Sequence, residues 1–385
     1  MDPKSCTPRE NRKSIDDDVK TSQKKTTSTE SKASAINSPS RRIQWMWNSS
    51  ADPFSKSQPV EWHRYRDIES EIIEEAFTAG KAHTTLDGYH IDFEHNLQSS
   101  SNNPKKQRPI KRMECNGDEK RVRSERFLSN PVAPKRPYGD VYGFISPFVK
   151  EVAKDLSLKK KKLPSKNSDI VPMIVEKAAL GIVEEGKEVG KQIQAERMAK
   201  MLREKKEAEM RDVWICCAHL YTMDTFLFKK MNEAMRSIGS EEHETIWRSK
   251  LHTLGSFCLL LWDNPFNSES AKPGTILYRG TQLSDDLISS FKDDCSKNPK
   301  PSHSFQAFTS CTRDRNVAEM FGNTILIMKV GLAFTVDLKT YSNFPDEEEE
   351  LLFPGVYFTI DQMKVEEDKH LIYLTLQQRH NSKST

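Results

Sequence analysis

Four consecutive glutamates, residues 347–350, lead directly into the apolar segment 351–353 and Pro354. The apolar residues predict a buried strand, and side chains on a strand alternate between its two faces. Glu348 and Glu350 are therefore expected to point the same way, side by side at the edge of a core. Two close carboxylates repel each other unless they bind something positive. This spacing would suit a site that handles a cationic, sugar-like transition state and a second cationic reactant.

A charge run of this kind is usually a solvated loop, and that interpretation competes with the catalytic one. The chain upstream favours a catalytic site, because it predicts two further strands with polar groups at their ends. One strand covers 275–280 and the other begins within 308–312. The polar residues at these strand ends, in chain order, are Arg279, Ser310 and Glu350.

This order resembles the Arg-Ser-Glu signature of arginine-specific mono-ADP-ribosyltransferases. That family has a strand ending in Tyr-Arg-Gly, a Phe-x-Ser-Thr-Ser strand, and Glu-x-Glu followed by aliphatic residues and proline. Segments corresponding to all three occur here in that order, the second with one departure. The resemblance covers about residues 205–380 and includes the helical segment 221–236. This sequence departs from the family at 310–312, where Ser-Cys-Thr replaces Ser-Thr-Ser while the first serine is kept.

The resemblance implies that NAD is consumed as a substrate and that ADP-ribose is transferred to protein arginine; whether NADP also serves as a donor stays open. Arg279 would bind phosphate or ribose oxygens through its planar fork of donors. The backbone of Gly280 would approach the nicotinamide closely. Ser310 would hold the ribose and orient Glu350, which would stabilise the oxocarbenium ion as nicotinamide leaves. Glu348 would position the acceptor guanidinium and draw off its proton.

In enzyme terms, the resemblance implies an NAD(P)+–protein-arginine ADP-ribosyltransferase, grouped with the glycosyltransferases and nucleotidyltransferases. Two other functions compete with it. An NAD glycohydrolase would use water in place of arginine, but Glu348 has little purpose without a guanidinium. A non-catalytic adaptor would bind poly(ADP-ribose) without reacting. The intact Arg279, Ser310 and Glu350 argue against it, while the departure at Cys311 leaves it open.

A second pattern lies near the N-terminus, where aromatic and polar residues alternate as they do in half-exposed strands. It resembles a WWE domain over about 42–114, in which Trp45, Trp62 and Glu74 are the residues behind the name. A glycine closes the amphipathic helix of this pattern, and the last strand is basic. The predicted elements are strands at 43–47 and 60–65, a helix at 70–80, and strands at 88–93 and 108–112.

Some WWE domains bind the iso-ADP-ribose unit of poly(ADP-ribose), and the resemblance implies a matching set of residues. The matching positions are Trp47, Tyr89, Gln98 and Arg108. Aromatic faces can stack on adenine and arginine can pair with phosphate. Trp47 stands where the family usually has tyrosine. Trp45 and Trp62 are expected in the core of the small sheet. For Tyr89, Gln98 and Arg108, a role in ligand binding and a role in the framework of the domain stay equally open.

The expected fold class is α+β, with a small WWE half-barrel (a sheet plus one helix) before a split, mixed β-sandwich ADP-ribosyltransferase domain with N-terminal helices. The mean hydropathy of −0.72 is low for a single globule and predicts unfolded segments. The helical stretch is expected to be a solvated spacer, with a partner-binding helix as the alternative. The predicted parts are a disordered tail over 1–40, the WWE domain over 42–114, a charged linker over 115–170, the helical spacer over 171–213 and the transferase domain over 205–380.

The net charge of +3 does not call for nucleic acid, so no direct nucleic-acid binding is predicted. A lysine run at 159–162 has the composition of a nuclear import signal. The polar N-terminal residues give no secretory signal, and the apolar run 257–262 is too short to cross a bilayer. The seven cysteines show neither paired nor zinc-binding spacing. We therefore expect an intracellular protein, cytoplasmic or nuclear, that binds no metal and no membrane. Its expected partners are arginine-bearing protein substrates and poly(ADP-ribose) or ADP-ribosylated proteins.

Overall fold

The structure is a computed structural model. It describes residues 42–57, 59–115, 122–123, 126, 146–158, 162–239, 241–266 and 271–378. The predicted disordered tail over 1–40, most of the predicted linker and residues 159–161 of the lysine run lie outside these ranges. Within them the chain mixes helices and strands in two sheets, which confirms the expected α+β class.

The N-terminal sheet of the described chain has six antiparallel strands in the order β2-β1-β6-β5-β4-β3. One helix covers its inner face, where Trp45 and Ile73 are almost fully buried. Trp45 also donates its indole N–H to Glu74 at 2.8 Å, which ties β1 to that helix. The elements are β1 (Arg42–Asn48), β2 (Trp62–Arg64), α1 (Asp67–Thr78), β3 (His83–Leu86), β4 (Tyr89–Asp92), β5 (Leu97–Ser100) and β6 (Asn103–Cys115).

A helical layer follows, and its inner faces form a large apolar core. The expectation of a solvated spacer over 171–213 is wrong, because Ile174 and Ile182 are fully buried within that core. Part of the predicted linker belongs to it as well, since Phe148 and Val152 are buried there. Among the residues that the structure describes, no helix has the length and apolarity needed to cross a membrane. The helices are α2 (Pro147–Asp155), α3 (Val171–Glu188), α4 (Gln192–Arg203), α5 (Met210–Thr222), α6 (Phe226–Arg236) and α7 (Glu244–Trp262).

The N-terminal sheet is fixed to this helical layer by polar contacts at the start of α4. Asp87, in the turn between β3 and β4, accepts hydrogen bonds from the backbone N–H groups of Ile193 and Gln194 at 2.8 and 3.0 Å. These N–H groups have no hydrogen-bond partner within α4, so the carboxylate caps the helix. Its negative charge also lies at the positive end of the helix dipole. Arg197 adds an ion pair to Glu75 of α1 at 2.6 Å.

The second sheet of the described chain has eight strands in the order β11-β12-β9-β7-β10-β14-β13-β8. Strands β10 and β14 run parallel, and the other described pairs are antiparallel. Leu351 packs on the helical layer, whereas Leu352 packs into a second core on the opposite face. The elements are β7 (Ile276–Thr281), α8 (Asp285–Ser296), β8 (His303–Ser304), β9 (Thr309–Thr312), α9 (Arg315–Glu319), β10 (Thr324–Val330), β11 (Thr335–Asp337), β12 (Glu349–Leu352), β13 (Tyr357–Glu366) and β14 (Lys369–Gln377).

The crossing of α3 and α7 gives a stability prediction at Gly181. A Cβ atom placed there would lie 1.8 Å from the backbone oxygen of Thr253. Alanine in place of glycine inside a helix ordinarily stabilises by about 0.5–1 kcal/mol. Here we expect Gly181→Ala to lower the free energy of unfolding by about 1–3 kcal/mol, because the helices must separate. Urea denaturation measures the change, and Glu184→Ala on the exposed side of α3 is the control; a Gly181→Ala protein as stable as this control would contradict the packing argument.

Candidate active site

The register of two central strands decides which side chains meet at the site. In the antiparallel pair β12–β9, Glu350 lies opposite Cys311 and Leu351 lies opposite Ser310. Opposite residues share a face, and neighbours along a strand point to opposite faces. Glu350 therefore points to the same face as Cys311, away from Ser310 and Leu351. The expectation that Ser310 orients Glu350 is not met in this arrangement.

Glu348 lies outside the strand, at the end of a short 3₁₀ turn over Pro345–Glu347. Its backbone is left-handed, with φ of 44° and ψ of 46°, a conformation that residues other than glycine seldom adopt. The side chain turns to solvent, where its Oε1 accepts a hydrogen bond from Lys339 Nζ at 2.9 Å. The expectation that Glu348 and Glu350 lie side by side on one strand face is therefore wrong, because the strand begins one residue after Glu348.

Glu349 is the carboxylate that forms a hydrogen bond with the Ser310 side chain, and it is almost fully buried. Arg126 donates to its Oε1 through Nε at 3.0 Å and Nη2 at 2.8 Å, and Arg123 donates to its Oε2 through Nη2 at 3.0 Å. Burial alone would raise the pKa of Glu349. The charges of Arg126 and Arg123, with the Ser310 hydrogen bond, outweigh burial and hold that pKa below its usual value.

Glu347 binds the same guanidinium as Glu349. The Nε of Arg123 lies 3.0 and 3.1 Å from the two carboxylate oxygens of Glu347, and the backbone N–H of Arg123 donates to Oε1 at 2.7 Å. Arg123 Nη2 also reaches Glu347, Arg123 Nη1 donates to the backbone oxygen of Thr222, and the guanidinium lies 4.6 Å from the ring centre of Phe344. Burial opposes the charge of Arg123, but Glu349 and Glu347 outweigh it and raise its pKa. The two carboxylates thus form a buried site that holds a guanidinium.

Glu350 has a different environment on the opposite face of β12. Arg313 donates to its Oε2 through Nη2 at 2.6 Å and Nε at 3.1 Å. Its Oε1 is buried and has no hydrogen-bond partner among the described residues. Burial raises the pKa of Glu350, and Thr335 and Arg313 only partly offset this effect. An unpaired buried carboxylate oxygen can accept a hydrogen bond from a ligand hydroxyl.

Arg279 and Gly280 stand on β7, next to β9. Arg279 is 6% exposed and donates through Nη1 to the backbone oxygen of Ser310 at 2.6 Å, so the structure brings it to the site. Because Tyr278 lies opposite Thr312, Arg279 shares its face with Cys311 and Glu350. The expectation that a nicotinamide approaches Gly280 closely is not met on its Cβ side, since a Cβ atom there would lie 2.0 Å from the backbone oxygen of Ala318. Glycine is needed at 280 because α9 packs against this strand.

The WWE positions lie around a cavity of about 480 Å³, whose lining includes Trp47, Tyr89 and Gln98. Tyr89 is 42% exposed, whereas Gln98 is buried and accepts a hydrogen bond from Tyr65 at 2.6 Å. Arg108 is not part of this lining. It donates to the backbone oxygens of Asn48 and Ser50, both at 2.8 Å, and its guanidinium lies 5.4 Å from the ring centre of Trp47, so here it supports the cavity wall.

Of the two tryptophans expected in the core of the small sheet, only the first is buried there. Trp45 is 1% exposed, as expected. Trp62 is half-buried and lies under Lys111, whose Nζ is 4.2 Å from the ring centre. The expectation of a core position is wrong for Trp62, because β2 is the edge strand and pairs with β1 on one side only.

Sequence reasoning missed the residues that carry most of the charge at the site. Glu347 and Glu349 have the same Glu-x-Glu spacing as Glu348 and Glu350, so the acidic run contains this pattern twice. Arg123 and Arg126 fall in the stretch interpreted as a linker, where their spacing of three residues is the only local signal. Within the described ranges, no cluster of three or more His, Cys, Asp or Glu side chains could hold a metal ion.

Comparisons with known proteins bear on both parts of the chain. The family described as NAD:arginine ADP-ribosyltransferase matches residues 159–382, and the WWE domain family matches residues 43–112. ADP-ribosyltransferase HopU1 of Pseudomonas syringae is a similar solved structure, with 19% identity, a TM-score of 0.35, and coverage of 47% of this chain and 87% of that one. The effector XopAI from Xanthomonas axonopodis has 13% identity, a TM-score of 0.40, and coverage of 62% and 96%. No curated protein matches the sequence.

The pKa of Glu349 gives a prediction for stability against pH. We expect Glu349→Gln to lower the free energy of unfolding near neutral pH by about 3–5 kcal/mol, because two buried guanidinium groups lose their charged partner. A lowered folded-state pKa means that this contribution is complete above the unfolded value of 4.5 and is lost as pH falls through the folded-state pKa. Urea denaturation of both proteins across a pH series extending below 4.5 measures the difference between them.

Two substitutions in the same run serve as controls for this series. Glu348→Gln affects an exposed pair with Lys339 and should change the stability by at most about 1 kcal/mol. Glu350→Gln should show the opposite pH dependence, because the raised pKa of Glu350 favours the folded state as pH falls and this contribution is lost as pH rises. A difference between the native and Glu349→Gln proteins that stays constant with pH would contradict the proposed ionisation of Glu349.

Proposed function

The chain belongs to the NAD:arginine ADP-ribosyltransferase family, and we propose that it transfers ADP-ribose from NAD to arginine side chains of proteins. The observation that supports arginine as the acceptor is that the guanidinium of Arg123 lies between Glu347 and Glu349 and binds both. A pair of buried carboxylates that already binds one guanidinium in a bidentate manner has the geometry to bind another. Lysine would bind this pair of carboxylates poorly, because its compact ammonium group lacks the fork of N–H donors that a guanidinium has.

The reaction breaks the bond between the nicotinamide nitrogen and C1′ of the ribose, and nicotinamide leaves with the electron pair. A nitrogen of the acceptor guanidinium then forms the new bond to C1′ and loses a proton to a nearby carboxylate or water. The carboxylate that faces C1′ stabilises the oxocarbenium-like transition state, as carboxylates do in glycosidases. Ser310 would hold the ribose next to that carboxylate. Arg279 lies on the opposite face of the sheet, with Cys311 and Glu350, and would support Ser310 through the hydrogen bond to its backbone oxygen. It would bind the phosphate or ribose oxygens of NAD if Glu350 is the carboxylate that faces the ribose.

We base the proposed roles within the acidic run on the face that each glutamate occupies. We assign Glu349 to the ribose, because it lies with Ser310, and Glu347 to the acceptor guanidinium. The sequence pattern supports the other pair, with Glu350 at the ribose and Glu348 at the acceptor, since Glu350 directly precedes the apolar residues and Pro354. The Oε1 of Glu350 and its common face with Arg279 support that alternative.

Transfer of label from NAD to agmatine, a small guanidine, tests both the function and the roles. Each glutamate of the run is replaced by glutamine in turn, which keeps the side-chain shape and removes the charge. We expect Glu349→Gln to lower transfer and nicotinamide release together, by about 10²-fold or more, because the transition-state charge loses its partner. Glu347→Gln should lower transfer to agmatine by a similar factor while nicotinamide release to water persists.

The other two substitutions are the matched controls, with small effects expected for both. If Glu350→Gln and Glu348→Gln give the large losses instead, the pair suggested by the sequence pattern does the chemistry. Release of free ADP-ribose with no labelled agmatine from the native protein would identify an NAD glycohydrolase. No nicotinamide release at all would refute the enzyme assignment and leave an ADP-ribose-binding adaptor.

We also infer that the WWE part binds the iso-ADP-ribose unit of poly(ADP-ribose). The cavity wall supports this ligand, because Trp47 and Tyr89 offer aromatic faces for adenine and Gln98 belongs to the same lining. Arg108, which would pair with phosphate by resemblance, reaches this role only if it leaves the backbone oxygens of Asn48 and Ser50.

Calorimetry with iso-ADP-ribose tests this site in the full chain. We expect Tyr89→Ala to weaken binding by about 1–3 kcal/mol, the usual contribution of stacking between a base and an aromatic side chain. Phe54→Ala removes an exposed aromatic ring that does not line the cavity, and it should leave the affinity unchanged. Equal affinities of the Tyr89→Ala and native proteins would place the ligand elsewhere.

A further inference from the structure

The cavity that contains the WWE positions is not built by the WWE sheet alone. Its lining also includes Val122, Arg123, Asp224 and Phe344, which lie outside residues 42–114. Asp224, in the turn between α5 and α6, lies 4.0 Å from Arg66, and its backbone N–H donates to Asp67 at 3.1 Å. These contacts join the start of α1 to the helical layer at the cavity. A ligand that fills the cavity therefore touches both parts of the protein.

Arg123 belongs to this cavity and to the glutamate site at the same time. Its guanidinium binds Glu347 and Glu349 and lies over the ring of Phe344, and both Arg123 and Phe344 line the cavity. Arg126, the second described guanidinium on Glu349, is not part of the lining. Arg123 is therefore the point at which a ligand of the cavity and an acceptor guanidinium would meet.

The lining suits a nucleotide with a pyrophosphate. Aromatic rings come from Trp47, Tyr65, Tyr89 and Phe344, and they can stack on a purine. Arg64 and Arg66 join Arg123 as cationic groups that can pair with phosphate oxygens. The lining carboxylates, Asp67, Glu69 and Asp224, can accept hydrogen bonds from ribose hydroxyls.

We propose that an iso-ADP-ribose unit in this cavity and an acceptor guanidinium at Glu347 and Glu349 favour each other's binding through Arg123. This inference rests on the acceptor site of the proposed function. Arg123 occupies the position that an acceptor needs, so the acceptor must displace it. A pyrophosphate in the cavity offers Arg123 another anionic partner. Glu347 and Glu349 then remain paired, with the acceptor and with Arg126, so the exchange leaves no buried charge of this cluster without a partner.

Coupling between two ligands is reciprocal, which allows a test on the native full chain without NAD turnover. Calorimetry measures the Kd of iso-ADP-ribose with and without saturating agmatine, and the Kd of agmatine with and without saturating iso-ADP-ribose. We expect each ligand to lower the other's Kd by the same factor, about 5-fold or more. Kd values that do not depend on the other ligand would overturn the proposal, and so would mutual weakening.

Substitution of Arg123 tests whether this residue carries the coupling. Arg123→Ala should bind agmatine more tightly than the native protein in the absence of nucleotide, and the coupling factor should fall to about 1. Arg64→Ala is the control, because Arg64 lines the cavity from β2 of the WWE sheet; it should weaken iso-ADP-ribose binding and keep the coupling factor. Full coupling in Arg123→Ala would overturn the role of Arg123.

The Arg123→Ala substitution leaves the buried Glu347 without the cation that Glu347 binds. Thermal unfolding therefore serves to show whether this variant folds. Arg123→Lys is a second variant that keeps the charge but not the fork, and it should show an intermediate coupling factor. The reciprocity measurement needs neither variant. It also separates the two proposals: coupling without label transfer would refute the transferase assignment alone, whereas label transfer without coupling would refute this inference alone.

Discussion

The burial of two guanidinium groups against two carboxylates is the constraint on which the rest of the site depends. Arg123, Arg126, Glu347 and Glu349 are each at most 7% exposed. Removing such charges from water costs several kcal/mol for each ion, so the cluster is stable only while every member is paired. The pairing in turn fixes where β12 begins, because Glu347 ends the 3₁₀ turn and Glu349 opens the strand. Both ends of the short connection at Glu348 are thereby held in place.

This constraint explains which parts of the site could be predicted from the sequence. The strands that carry Arg279, Ser310 and the acidic run are evident from their apolar residues and their order. The face on which each glutamate lies is not evident from the sequence, since a shift of one residue in register or strand start moves every side chain to the opposite face. The left-handed backbone at Glu348 sets that start, and a run of identical residues contains no sign of it. The pairing of Arg123 with Glu347 spans 224 residues along the chain, which no local pattern reports.

The helical segments illustrate a second reason for failure. The pattern of Glu and Lys over 171–213 favoured a solvated helix with ion pairs along its surface. Ion pairs exist, but they join different helices, as between Arg203 of α4 and Glu176 of α3 at 2.8 Å. The inner side is buried and mostly apolar, with Ala178 and Ala199 small enough for close packing between helices, and the buried Glu185 is paired with Lys250. A helix with a charged side and an apolar side belongs to a core whenever other apolar surfaces are available to cover it.

The order of strands in the second sheet also has a consequence for how the protein is made. Strand β14, the last in the described chain, lies between β10 and β13 in the interior of the sheet and runs parallel to β10. A ribosome releases β7 to β13 before β14, so during synthesis β10 and β13 each keep an unpaired edge where β14 will later insert. Exposed edges of this kind pair readily with other chains. Nascent chains of this protein should therefore depend on chaperones until β14 emerges.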